Sequence, residues 1–166
     1  MDKTALVNLF KTIRDILYKI PLDYEEEDNC CSGKSSKLFN ILKINGYKVR
    51  YRVCVFLWDD LPLPEDVKKI PHDKDCTHTY VEIFLRDEWK VIDLTWDKGL
   101  KSIFHINEWD GESSTEIAVR PIKIFTPSKS LSIVSNQTKE IINDDLGRNR
   151  EFYKAFNEWL NRIRHH

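Results

Sequence analysis

His78-Thr79-Tyr80-Val81-Glu82-Ile83-Phe84-Leu85-Arg86-Asp87-Glu88-Trp89-Lys90-Val91-Ile92-Asp93-Leu94-Thr95 decides the fold. His78 to Leu85 and Trp89 to Thr95 are strand-like runs, and the short polar connection Arg86-Asp87-Glu88 between them predicts an antiparallel hairpin. A turn centred on Asp87 brings His78 near Trp96, about one diagonal step from Asp93, which puts imidazole and carboxylate within reach of each other. A one-residue slip would turn either side chain to the other face of the sheet.

Upstream, Tyr47 through Trp58 alternates, with Val49, Tyr51, Val53, Val55 and Leu57 on one face and Lys48, Arg50, Arg52 and Cys54 on the other, the pattern of a further strand. Asp59 to Thr77 contains Pro62, Pro64 and Pro71, with a single helical turn expected at Glu65 to Lys69. It is too long for a tight hairpin and reads as a flap or lid at one end of the sheet. Two helices precede these strands. Leu6, Leu9, Phe10, Ile13, Leu17 and Ile20 recur every three or four residues up to Pro21, and Leu38, Ile41 and Leu42 mark a helix from Cys31 to about Asn45, closed by Gly46.

Between these helices, Tyr24 to Asn29 is an acidic connection, read as a solvated loop that places negative charge near the following helix start. Downstream, Ile117 to Phe125 reads as an edge or bulged strand because of Pro121, and Pro127 to Gln137, rich in Ser and Lys, reads as mostly loop. Phe152, Phe156, Trp159, Leu160 and Ile163 mark a closing amphipathic helix. Helices, then a mostly antiparallel sheet, then a helix make an α+β domain, expected to span residues 1–166 as one unit.

Composition narrows the function classes. Hydrophobic residues at 41% and charged residues at 32% suit a chain that folds around a core. Lys and Arg number 26 against 27 Asp and Glu, so no broad attraction to nucleic acid or anionic membrane is expected. No apolar run reaches the roughly 18 residues of a membrane span, and Asp2 and Lys3 precede an amphipathic pattern, so a cytoplasmic location is expected. Four cysteines, Cys30, Cys31, Cys54 and Cys76, are then expected as free thiols.

Cys31, His78 and Asp93 are the residues that carry chemistry. A thiol is nucleophilic as thiolate, and a helix N-terminus and a neighbouring imidazolium both lower its pKa. Asp93 lies between Ile92 and Leu94, and a carboxylate in a strand is costly without a partner.

The run Cys31-Ser32-Gly33-Lys34, followed by Leu38, Leu42 and Gly46 and then Val49, Arg50 and Tyr51, resembles the nucleophile helix and following strand of the transglutaminase-like superfamily of thiol enzymes, related in chemistry to papain-like proteases. His78-Thr79-Tyr80-Val81-Glu82 and Trp89 to Thr95 are similar to that family's His and Asp strands. The resemblance covers roughly residues 29 to 97, and its spacing selects Cys31 over Cys30. It implies Cys31 as nucleophile, His78 as general base and Asp93 as the group that fixes the imidazole tautomer, without an organic cofactor or metal. A peptide or protein substrate is implied, with hydrolysis of an amide through a Cys31 acyl-enzyme as first reading and acyl transfer to an amine as second. The departures are Asp28-Asn29-Cys30, where many relatives carry a Gly before the nucleophile, and Leu94, where many have Pro.

The Cys31 backbone N–H is a candidate oxyanion donor, with Asn29 and Tyr24 as weak candidates for a second. Cys30 is an alternative nucleophile, a redox partner or, the favoured reading, a spectator. Lys34 either supports the thiolate or is a solvated lysine, the favoured reading. Glu82 is read as structural, and Trp96 as a packing residue that could wall the cleft. Two rivals stand beside the thiol enzyme: a zinc site from Cys30, Cys31, Cys76 and His78, whose adjacent cysteines lack the usual spacing, and an inactive protein-binding domain of the same fold.

Overall fold

The computed structural model describes residues 1–166. It is α+β, with five helices, α1 (Lys3–Arg14), α2 (Cys31–Ile44), α3 (Glu65–Lys68), α4 (Pro127–Ser135) and α5 (Lys139–Arg164), and four strands, β1 (Val49–Leu57), β2 (Asp75–Leu85), β3 (Glu88–Ile92) and β4 (Lys123–Ile124). The strands form one antiparallel sheet in the order β3-β2-β1-β4. No helix is long and apolar enough to cross a membrane.

The hairpin of β2 and β3 is one residue tighter than the sequence suggests. Leu85 pairs with Glu88, so only Arg86 and Asp87 make the turn, both at positive φ (49° and 66°) as a type I′ turn requires. Val81 therefore faces Ile92, and the same register carried onward sets His78 opposite Thr95 rather than Trp96. The difference matters, because Asp93 then lies two residues from His78's partner and on the same face. The expected register would have put it three away, on the opposite face.

Both faces of the sheet are covered. Tyr51, Val81, Ile83 and Ile92 pack with Leu6, Phe10 and Ile13 of α1 and Leu38 and Leu42 of α2. On the other face Cys54, Phe56 and Tyr80 meet Leu146, Phe152, Phe156, Trp159 and Leu160 of α5. The alternation expected in β1 thus fails at its end: Cys54 and Phe56, assigned to the polar side or left out, are buried because α5 provides a second apolar layer.

Three further elements differ from expectation. Residues 127–137 are mostly helical, and the missed signal is local: Thr126 caps α4, accepting from the Lys129 N–H, with Pro127 at the first helical position. α1 ends at Arg14, before Leu17, because the next donors are claimed by distant side chains, Tyr18 N–H by Asp97 and Ile20 N–H by Asn157. The stretch 59–77 is no free flap. Leu61, Leu63 and Val67 are buried, His72 stacks on Phe152 at 3.8 Å, and Asp73 bonds Arg148 and Asn149 of α5.

Candidate active site

Asp93 follows directly on β3, where the chain leaves the ladder, and β2 carries His78 across to it. His78 Nε2 and Asp93 Oδ2 stand 2.6 Å apart, with the two side chains 2% and 1% exposed. Asp93 Oδ2 also accepts from the Ala118 N–H, and Oδ1 accepts from both the N–H and the hydroxyl of Thr95. Burial alone would raise this carboxyl, but the attraction of His78 and the hydrogen bonds from His78, Thr95 and Ala118 hold it below the usual carboxylate range.

An ionised carboxylate only accepts, so Nε2 carries a proton, and in the uncharged tautomer of the ring Nδ1 presents a lone pair. Nδ1 has no hydrogen-bond partner in the protein, and the one sealed, unpaired side-chain nitrogen or oxygen is Arg52 Nε. Nδ1 is accordingly open to the cavity that His78 lines. The loop behind Asp93 is braced in turn: Asn107 donates to the Asp93 and Glu116 carbonyls, and the Asp93 N–H donates to Thr115 Oγ1.

Cys31 is the first residue of α2, and Cys30 occupies the capping position with no side-chain cap. The helix has no acidic residue in its first turn, and the negative charge near its start comes from the Asp28 carboxylate of the preceding loop. Gly33 permits this arrangement. A Cβ there would lie 1.8 Å from the Asp28 carbonyl oxygen, so the loop that delivers the thiol can cross the helix only above a glycine. Asp28 fixes that loop, accepting from the Cys30 N–H and the Ser32 hydroxyl.

Lys34 and Ser35 align the helix with both strands. Lys34 is fully buried, and its ammonium donates to the Thr95 carbonyl, two residues beyond Asp93, and to the Arg14 carbonyl at the end of α1. Ser35 donates to the Thr79 carbonyl, next to His78. Lys34 is therefore neither a solvated lysine nor a partner of the thiol. Burial lowers its pKa to about 8 despite the attraction of Asp97.

Cys31 and His78 line one cavity of about 370 Å3, together with Tyr18, Tyr24, Trp58, Trp96 and Tyr153. No hydrogen bond joins the Cys31 sulfur to the imidazole. Of the two candidates for a second oxyanion donor, Tyr24 lines the cavity and Asn29 does not; the Asn29 amide oxygen accepts from Lys37. Trp96 both walls the cavity and packs, stacked on Phe104 at 4.1 Å. Glu82 binds Arg50 and Arg52.

All four cysteines are unpaired. The adjacent Cys31 side chain, burial and Asp28 push the Cys30 thiol well up, and burial takes Cys54 and Cys76 to about 12, which leaves all three protonated at neutral pH. Cys30, Cys31, Cys76 and His78 share the cavity, but no group of three or more such side chains is arranged to hold a metal ion. Sequence reasoning missed Tyr18, Thr95, Asn107 and the supporting role of Lys34. Thr95 and Lys34 do stand in the stretches that carry the resemblance, and the Asp93-Leu94-Thr95 spacing is a local signal for the Thr95 bond; Tyr18 and Asn107 stand in no motif and act through contacts that only the tertiary fold creates.

No family model matches the chain, and neither the curated proteins nor the solved structures give a significant match.

Proposed function

We propose that this chain is a thiol enzyme of transglutaminase-like type that cleaves amide or peptide bonds through an acyl-enzyme at Cys31. The observation that carries the reading is the buried His78–Asp93 pair, whose free Nδ1 opens on the cavity that the helix-terminal Cys31 also lines. Catalytic hydrogen bonds are commonly long without substrate and tighten in the complex, so a base and nucleophile facing one cavity are suited to the chemistry.

In the proposed cycle the Cys31 proton passes to His78 Nδ1 and the thiolate attacks the substrate carbonyl carbon. The carbonyl π pair moves onto oxygen, next to the Cys31 N–H. Collapse of this adduct breaks the C–N bond, and the departing amine takes the proton from His78. Asp93 keeps the ring in the tautomer that leaves Nδ1 free and stabilises the imidazolium. Water, deprotonated by the same nitrogen, then releases the acid. Transfer to an amine is the second reading, favoured by Asp23, Glu26, Asp28 and Asp145 in a cavity lining that contains no Lys or Arg.

Labelling with iodoacetamide at mildly acidic pH, with mass mapping, tests the proposal. Selective modification of Cys31, lost in His78→Gln, is the expected result. Equal, slow labelling of all four cysteines would overturn it in favour of a binding domain.

A further inference from the structure

A tetrahedral adduct at Cys31 needs more than one donor for its oxygen, and the sequence offers no second one in a motif. Tyr18 is the side chain left over in the cavity. It is 6% exposed, lines the same space as Cys31 and His78, and its hydroxyl makes no hydrogen bond within the protein. Nor is that hydroxyl sealed, since the only sealed, unpaired side-chain polar atom is Arg52 Nε. A hydroxyl this enclosed, facing a cavity without a partner, calls for an explanation beyond packing.

Its backbone is fixed from both sides. The Tyr18 N–H donates to Asp97 Oδ2 at 2.9 Å, the Tyr18 carbonyl accepts from Arg164 Nη2 at 2.8 Å, and Asp97 and Arg164 are themselves a buried ion pair. The ring lies against Trp96 at 4.8 Å and edge-on to Phe156 at 6.3 Å. Such a donor is oriented before substrate arrives, the condition under which a hydrogen bond stabilises developing charge best. Burial, with Cys30, Cys31, Cys76 and Asp28 nearby, pushes the phenol well above its ordinary range, so it keeps its proton as a donor must.

We propose that the Tyr18 hydroxyl is a catalytic residue, the second oxyanion donor beside the Cys31 N–H. The inference rests on the thiol-enzyme reading. As Cys31 Sγ bonds to the carbonyl carbon, the π pair on oxygen receives hydrogen bonds from Tyr18 Oη–H and the Cys31 N–H; no proton is transferred from Tyr18. When the leaving group departs, the pair returns to the carbonyl and Tyr18 is unchanged.

Tyr18→Phe keeps the ring and removes the donor, and two small reagents separate the possible roles. p-Nitrophenyl acetate acylates a thiol through a tetrahedral oxyanion, whereas iodoacetamide alkylates it by direct displacement with none. The full chain carrying Tyr18→Phe should show acylation slowed by about 10²–10³-fold, with the rate and pH profile of Cys31 alkylation unchanged and affinity for acetaldehyde, which forms a hemithioacetal oxyanion, reduced. Equal loss in acylation and alkylation would overturn the proposal, because Tyr18 would then act on the thiol itself. Unchanged acylation would overturn it in favour of ring packing alone. Failure of the unsubstituted chain to alkylate selectively at Cys31 would remove the underlying reading, an outcome distinct from either.

Discussion

Asp93 and His78 are built into the sheet side of the cavity with every carboxylate oxygen engaged, while Cys31, on the helix side, starts an uncapped helix whose approach is set by a short loop. The sheet side is wired by hydrogen bonds from β2, from Thr95 and from the 107–118 segment. The helix side is held one turn further in, by Lys34 and Ser35. Under the proposed function a base has to be aimed before reaction and a nucleophile has to be reachable, and the two constructions suit those different needs.

The largest expected effect comes from breaking the wired side. Asp93→Asn, which leaves the shape intact, should slow acylation by p-nitrophenyl acetate about 10²–10⁴-fold, because the amide no longer selects the tautomer. The same variant reports on acid stability. The Asp93 carboxyl is lowered in the folded state, so its contribution is complete above the ordinary value of 3.8 and disappears as pH falls through the lowered one. Urea titrations should therefore show a steeper acid loss for the unsubstituted chain than for Asp93→Asn.

On the helix side, Gly33→Ala drives a methyl into the Asp28 carbonyl and should cost about 3 kcal/mol, with a lowered Tm and altered Cys31 alkylation. A thermal melt with unchanged Tm would show that the loop can step aside.

Lys34, which joins the two sides, has a pH signature of its own. Its folded pKa of about 8 lies below the unfolded 10.5, so the unfolded chain holds more protons across that window and stability rises with pH, by at most about 3 kcal/mol. Lys34→Met should lack this rise when denaturation midpoints are compared from pH 8 to 10. The smallest effect is expected for Thr95→Val, which removes one of four hydrogen bonds to the Asp93 carboxylate and should cost about 1–2 kcal/mol in the same titrations.

Much of this was legible in the sequence because period and punctuation are local. Gly46, with φ of 84°, ends α2 where Asn45-Gly46 predicted, and the hairpin of β2 and β3 lies where Arg86 to Glu88 put it. The register was not legible to one residue, since Arg86 and Asp87 adopt positive φ without the Asn-Gly pair that normally announces a two-residue turn. Lys34 was misread because its partners, the carbonyls of Arg14 and Thr95, are backbone atoms 20 and 61 residues away and carry no sequence signal. The sequence reads residues 59–77 as a flap or lid at one end of the sheet, whereas Ile133, Val134 and Gln137 near the end of α4 and Ile142 and Asp145 of α5 also line the cavity.

Tyr18 and Arg164 are 146 residues apart. A chain leaving the ribosome therefore has Cys31, His78 and Asp93 in hand long before the guanidinium that steadies Tyr18 has been translated. The cavity gains its last wall only after synthesis has passed α5, so a half-made polypeptide holds these three side chains without the finished chamber around them.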